Sequence, residues 1–584
     1  MKKYLFQISS GWIVSLLAFS PGALALSRIP VTDVQVDVGR FNRTAGCCSA
    51  TGAKIAIAAG ATHSAAAGLE IAKAGGNLID VAVATSFAVA VERPQSNGIG
   101  GGGFATVHLP DGTNTFFDFR ETAPAASTVN MFLDASGKKR PGNLSQEGVF
   151  SVATPGFIAG QWAIHKKGGK LPWKKVLEPA IRLAREGFAI YPQLAAKIES
   201  NKKVFWEQEA TRALLFEGKK AKGIGDKLVQ TDLAATLTLI AEKGPDAFYK
   251  GEIAQKILST IKKQGGILTS GDLTRYEVRT RAPLTAKWKD FEFLTAPPPS
   301  AGGVILIEAM KVWGGLPENL QPKTEADYAH VLAEVFKHAY AERSQAIGDP
   351  AFVKVAVEAL TSDAFAKKIR GQIQKDKAVP SVQIKPGLPA PETHGTTSVT
   401  IIDDQGGAFS ATLTINTGFG SKVLVPGTGI FLNNEMDDFS IKPGETNAYG
   451  LTGDKANSIA PGKRPVSSMV PTLVLKGGKP VLAVSAGGGS RIITSVIQTT
   501  LNYLDVFPGD LQRAVFAPRM HHQWLPDKLD LEPEFTEASR DDLKKRGHTV
   551  SPPDWNPTVV AVGALGGSFT AVFDPRDEGG AAAR

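Results

Sequence analysis

Three acids and two amides fall within six residues at Asn433-Asn434-Glu435-Met436-Asp437-Asp438. Standing alone, carboxylates at this density form a calcium loop or a solvated turn, so their use depends on what lies beside them. Arg464-Pro465-Val466-Ser467-Ser468 adds two adjacent hydroxyls. Ala486-Gly487-Gly488-Gly489-Ser490-Arg491 follows a strand-like run and offers backbone N–H groups that no side chain obstructs. A glycine turn of that form suits a developing oxyanion. Earlier in the chain, Asp118-Phe119-Arg120-Glu121 ends another strand-like run on an arginine. Its planar fork matches a carboxylate bidentately, although an Arg beside a Glu is more often a surface or structural ion pair.

Several common chemistries are missing. No Gly-x-Ser-x-Gly elbow, His-Glu-x-x-His, phosphate-binding Gly-x-x-x-x-Gly-Lys-Ser/Thr or Cys-x-x-Cys occurs. His521-His522 is the one paired histidine and has no third ligand at suitable spacing, so it reads as a structural hydrogen-bonding pair. Neither a metal nor a cofactor is expected. The glycine run from Gly98 to Gly103 follows an apolar helix and precedes a strand, the reverse of the order a dinucleotide site needs. It indicates close backbone approach instead.

The elements that must position these residues are readable from periodicity and punctuation. Ser64 to Lys73 and Leu78 to Val91 read as helices, the second so apolar that it must be buried, with Gly75-Gly76 between them and Pro94 after them. Helical patterns recur at Asp232 to Lys243, Glu252 to Lys263 and Glu325 to Arg343. Strands are predicted at Phe104 to Leu109, Thr115 to Phe119 and Phe291 to Ala296. From Arg370 to Thr393 the composition turns to Lys, Pro, Gln and Gly, as in a solvated extended linker. That linker meets a hairpin, Ser398 to Asp403 with Ala408 to Thr414, and further strands at Thr472 to Lys476 and Pro480 to Ser485. The pattern is mixed α and β, helix-rich for two thirds of the chain and sheet-rich after the linker.

Composition bounds the class. The 584 residues are 43% hydrophobic and 21% charged, which excludes disorder and coiled coil and provides a large core. The net charge of +9 comes from scattered basic residues, a poor footprint for nucleic acid. Lys2 and Lys3, the apolar stretch Trp12 to Phe19, a Pro21-Gly22 break and Ala23-Leu24-Ala25 read as a secretory signal over residues 1–25, with a retained N-terminal anchor as the alternative. A periplasmic or secreted protein is expected. Cys47 and Cys48 are the only cysteines, and a bond between neighbours is strained, so no disulfide framework is expected.

Taken together, the segments GLEIAKAGGNLIDVAVA, GIGGGGF, DFRETAPA, GDPAF, GTTSV, GTGIFLNNEMDDFS, KRPVSSMVPT, GGGSRI and DPR resemble, in order, the γ-glutamyltranspeptidases. The resemblance runs from about residue 55 to 577 and leaves out both cysteines. It implies an N-terminal-nucleophile hydrolase with an α+β fold, a four-layer αββα sandwich. It also implies a precursor that cuts itself before a threonine. Matching the hairpin places that threonine at Thr396, with residues 26–395 as large subunit and 396–584 as small subunit. Many members carry Thr-Thr-His there, whereas Ser398 follows Thr397 here, so Thr397 is the alternative nucleophile.

The resemblance further implies roles. Thr414 lies by the nucleophile, and the N–H groups of Gly488 and Gly489 stabilise the oxyanion. Arg120, Ser467 and Ser468 hold the α-carboxylate of a γ-glutamyl group, and Asn416, Glu435 and Asp438 receive its α-ammonium. The segment Lys442 to Gly453, with Tyr449, resembles a lid over the bound glutamyl group. The implied activity is cleavage of γ-glutamyl amides such as glutathione, with transfer to water, an amino acid or a peptide. The alternatives are a related acylase of glutaryl or cephalosporin type, which would not need Glu435 and Asp438, and a non-catalytic periplasmic amino-acid-binding protein.

Overall fold

The computed structural model describes residues 48–384, 395–442, 455–554 and 557–584, excluding the side chains of 344–346. The signal segment, the lid segment with Tyr449, and most of the residues just before Thr396 fall outside these.

Fourteen strands form two seven-stranded antiparallel sheets. In chain order they are β1 (Ser49–Gly52), β2 (Ile55–Ala59), β3 (Gly102–His108), β4 (Asn114–Phe119), β5 (Arg279–Arg281), β6 (Leu284–Trp288), β7 (Phe291–Thr295), β8 (Thr397–Asp403), β9 (Ala408–Thr414), β10 (Thr472–Lys476), β11 (Lys479–Gly487), β12 (Thr558–Gly563), β13 (Phe569–Phe573) and β14 (Gly580–Ala583). One sheet runs β1-β13-β12-β11-β10-β7-β6 and the other β14-β2-β8-β9-β3-β4-β5. The faces of the two sheets pack on each other through β8, β9, β11 and β12.

Helices cover both outer faces. On the second sheet lie α1 (Thr62–Lys73), α2 (Leu78–Glu92) and α3 (Phe157–Gly168), with α4 (Trp173–Glu186) packed on α2; α5 (Pro192–Ser200) follows in the chain. On the first lie α6 (Gly302–Gly314) and α8 (Arg491–Leu501), with α7 (Glu325–Ala346) packed on α6. The result is the expected αββα sandwich. Asn77 starts α2 as a capping box: its side chain accepts from the N–H groups of Ile79 and Asp80 at 3.1 Å, and the Asp80 carboxylate accepts from the Asn77 N–H at 3.0 Å. Every side chain of α2 is buried, as its nearly all-apolar sequence requires.

Strands from both parts of the chain share one sheet: β2 and β3, from the helix-rich N-terminal part, flank the β8–β9 hairpin. A lone hairpin would leave two edges of unpaired backbone groups, and early strands satisfy them. The segment from Arg370 is not a solvated linker throughout. Ile373, Ala378 and Ile384 are buried within it, and the Trp524 indole donates to the carbonyls of Ser381 and Ile384 at 2.9 Å. Apolar residues spaced among the lysines tie its first half to the body. Finally, Cys48 is disulfide-bonded.

Candidate active site

Side-chain alternation decides what the β8–β9 hairpin presents. In β8, Val399 and Ile401 belong to the core under α1 and α2. Ser398 faces the other sheet, where its hydroxyl accepts from Ser485 at 3.2 Å. Thr396, two residues before Ser398, shares that inter-sheet face by the period of two. Thr397 shares the opposite face, where a Cβ on Gly60 would stand 2.1 Å from its hydroxyl oxygen. In β9 the same rule turns Ser410, Thr412 and Thr414 toward the other sheet, and Phe409, Ala411 and Leu413 toward the helices.

Thr396 and Thr414 therefore meet at the end of the hairpin, their hydroxyl oxygens 3.4 Å apart. The Thr396 hydroxyl donates to the carbonyl of Gly395, the residue before it, at 2.5 Å, and the Thr414 hydroxyl donates to the same carbonyl at 3.1 Å. The Asn416 N–H donates to the Thr414 hydroxyl at 2.8 Å, from a residue at φ 73°. Beside this group β11 ends at Gly487, where a Cβ would stand 2.2 Å from the Thr396 carbonyl oxygen. Gly488 and Gly489 follow at φ 129° and 53°, a turn that only glycine makes without strain.

The wall facing Thr396 is charged. Arg120 leaves the end of β4 fully buried, and its guanidinium donates to the carboxylates of Glu435 and Asp438, with Glu121 at 3.6 Å. Arg464 sets its backbone: the Arg464 guanidinium donates to the Arg120 carbonyl and to Asp118, each at 3.3 Å. Glu435 and Asp438 sit on a short 3-10 turn pinned by amides. Asn433 accepts from the N–H groups of Ala153 and Glu435 at 3.0 Å, and Asn434 donates to the Thr417 hydroxyl at 2.8 Å. Asp437 accepts from Ser145 at 2.6 Å. This is a buried, braced turn rather than a solvated loop.

Burial and mutual repulsion govern the acids. The Glu121 carboxyl is pushed up to about 7, chiefly by burial, against the pull of Arg120. Glu435 is pushed well above the ordinary carboxyl range by burial, again against Arg120, with Glu121 and Asp438 adding to the rise. Three acids thus share one arginine in a medium that penalises net charge.

Nearly all the residues singled out in the sequence line one cavity: Arg120, Thr396, Thr414, Asn416, Glu435, Asp438, Ser467, Ser468 and Gly489. Gly488 lines the cavity on the far side of Thr396. Thr397 lines neither of these two. The first cavity is only about 20 Å³, because Arg120 lies against the acids. A zwitterion can enter by exchange, its carboxylate taking the arginine and its ammonium taking the acids. Sequence reasoning missed Arg343, a buried residue of α7 that lines the same cavity and donates to the Ser468 hydroxyl at 3.3 Å. An arginine on a long helix carries no local signal for that. His521 and His522 are buried and hydrogen-bonded, to Thr494 at 2.9 Å and Asp527 at 3.2 Å respectively.

Comparison with known proteins gives a consistent picture. The family model described as gamma-glutamyltranspeptidase matches residues 64–584. The chain is 43% identical over 494 residues to the glutathione hydrolase proenzyme of Pseudomonas sp. (strain A14), covering 84% of this chain and 86% of that protein. It is 42% identical over 486 residues to the glutathione hydrolase proenzyme of Escherichia coli (strain K12), covering 83% of each. Among solved structures, cephalosporin acylase from Bacillus halodurans superposes with a TM-score of 0.81 at 28% identity, covering 93% of this chain and 98% of that one.

Proposed function

The chain belongs to the γ-glutamyltranspeptidase family, and on that premise we infer that it is a self-processing γ-glutamyl hydrolase and transferase acting on glutathione-like amides. Thr396 is its nucleophile. The observation that carries this reading is the Thr396 hydroxyl held 2.5 Å from the carbonyl oxygen of the residue before it, with Thr414 donating to the same oxygen.

In the intact chain, attack of the Thr396 oxygen on the Gly395 carbonyl carbon converts the peptide bond to an ester, and the Thr414 hydroxyl steadies the charge on the carbonyl oxygen. The bond from that carbon to the Thr396 nitrogen breaks, and the nitrogen takes the hydroxyl's proton to become a free α-amine; water then hydrolyses the ester, releasing residues 26–395 from residues 396–584 and restoring the hydroxyl. That α-amine, with an ordinary pKa of ~7.7–8.0, lies within the same residue as the hydroxyl it must activate. No histidine is needed.

The mature site then acylates. The α-carboxylate of the γ-glutamyl group displaces the acids from Arg120 and reaches Ser467 and Ser468, while its ammonium meets Glu435, Asp438 and Asn416. The Thr396 oxygen attacks the γ-carbonyl as its proton passes to the α-amine, Gly488 and Gly489 donate to the oxyanion, and the amide C–N bond breaks as the leaving amine takes that proton. Water or an acceptor amine completes the cycle. Tyr449, outside the described residues, belongs to this proposal as part of a cover over the glutamyl group. Export follows from the signal pattern of residues 1–25. Among the described residues no helix is long and apolar enough to cross a membrane.

A denaturing gel of the purified protein tests the reading. Two bands divided at Thr396, together with hydrolysis of a γ-glutamyl anilide, are the expected result. A single band that turns over no γ-glutamyl anilide would sink it.

A further inference from the structure

Thr396 is a partition between two cavities. Behind it, away from Arg120, lies a space of about 290 Å³ whose wall includes Gly395, Thr396, Gly487 and Gly488. Building on the γ-glutamyl transfer reading, we propose that this second cavity holds the amine partner of the reaction, a peptide or amino acid bearing a carboxylate, and that Lys197 contacts that carboxylate.

The position of the base supports this placement. Cleavage after Gly395 leaves the Thr396 α-amine where the peptide nitrogen was, on the wall that Gly395 shares with this second cavity. During transfer the acceptor nitrogen attacks the ester carbonyl of γ-glutamyl-Thr396 and hands a proton to that α-amine. The intermediate collapses by breaking the bond from carbon to the Thr396 oxygen, which takes a proton back from the ammonium. In the forward acylation the departing amine receives its proton from the same group. Both amines must therefore lie on the α-amine's side of the threonine, whereas the glutamyl head lies on the Arg120 side.

The charge of the cavity selects the partner. Arg93 is committed, donating to Asp577 at 2.6 Å, to Gln193 at 2.7 Å and to the Gly60 carbonyl at 3.0 Å. Arg576 is committed to Glu532 at 2.5 Å and to Asp574 at 3.0 Å. The one acid among the described residues of the wall, Asp577, is thereby neutralised by Arg93. Lys197, on α5, lines the cavity half-buried, and its ammonium makes no hydrogen bond or ion pair to any described residue. Burial and the like charge of Lys422 push its pKa down, the mark of a cation lacking a counter-charge. A carboxylate on the amine partner would supply one.

The test uses the processed enzyme with a γ-glutamyl anilide as donor and two acceptors, glycylglycine and glycylglycinamide, which differ only in the terminal carboxylate. Wild type should show an apparent KM about tenfold lower for the acid than for the amide, the size expected for one charge-assisted contact. Lys197→Met should raise the KM for glycylglycine to that of the amide and move the amide's own KM by less than about twofold. Lys197→Arg should keep the preference. A wild type that turns over the donor yet treats both acceptors alike overturns this site and leaves the γ-glutamyl reading standing, as does a Lys197→Met enzyme that keeps the preference. A wild type inert toward the donor overturns both.

Discussion

Around Arg120 the molecule gathers four ionisable groups in one wall, with Arg120, Glu121 and Glu435 buried and Asp438 partly so. Around Thr396, across the same cavity, the hydrogen-bonding partners are a hydroxyl and a backbone carbonyl. In the proposed reaction the first region reads a substrate by charge and is tuned by desolvation. The second works by position, and its proposed base comes into being only when the chain is cut. Recognition can thus be complete in the precursor while chemistry waits on processing, and damage to the two regions should look different.

The largest effect should come from Thr396→Ala, which removes the attacking oxygen. The precursor should persist as one band on a denaturing gel and show no γ-glutamyl anilide turnover. Normal cleavage in Thr396→Ala, with cleavage lost in Thr397→Ala, would move the nucleophile by one residue and undo the argument from strand alternation.

Asp438→Asn keeps the shape of the charged wall and removes the charge proposed to meet the substrate ammonium. A charge-assisted hydrogen bond is worth about 1.5–3 kcal/mol, so kcat/KM for γ-glutamyl anilides should fall roughly 10- to 200-fold. A glutaryl anilide, which lacks the ammonium, should lose much less. Equal losses would make Asp438 a support of the fold, and a wild type that prefers the glutaryl substrate would favour the acylase reading instead.

Arg120→Lys should still be cut into two bands, because nothing in the processing geometry uses the guanidinium. Lysine offers a point charge in place of a fork. The expected cost is about tenfold, chiefly in KM, since the carboxylate is held alike in ground and transition states. Failure to cleave would show that the two regions are not separable.

The smallest effect concerns Glu121, in thermal unfolding of the processed enzyme without substrate. In the folded protein its carboxyl holds its proton up to about pH 7, whereas the unfolded chain releases it near ~4.3. The folded state therefore binds more protons across that window, and stability should decline as pH rises through it. Glu121→Gln should make that decline shallower, leaving the share that comes from Glu435. An unchanged slope would mean that Glu121 is ionised throughout and the charged wall less strained than burial implies.

Much of the fold was legible along the chain. The helix at Glu252–Lys263 and the strand at Thr472–Lys476 lie where periodicity puts them, and the β8–β9 hairpin differs from its predicted limits by one residue. The glycine run did mean close approach: a Cβ on Gly101 would stand 2.0 Å from the Thr414 carbonyl oxygen. Composition misled at the segment after Arg370, where lysines and prolines masked the few apolar residues that dock.

What the sequence by itself determined is the identity of the chemical groups: a fork at Arg120, acids at Glu435 and Asp438, hydroxyls at Ser467 and Ser468, and glycines at 488 and 489. The structure adds that the strand begins at Thr397, so that Thr396 and Thr397 point to opposite faces by a strand's period of two. What only the tertiary structure decided is which groups meet. Arg120 lies more than three hundred residues from Glu435 and pairs with it because β4 and β9 share a sheet that ends at one cavity. Arg343 reaches Ser468 from a helix on the other outer layer, and Lys197 reaches the far side of Thr396 from a third place in the chain. Local patterns report the direction of a side chain from its own backbone, but the distance between two side chains depends on how layers stack, and that is set by the packing of the whole core.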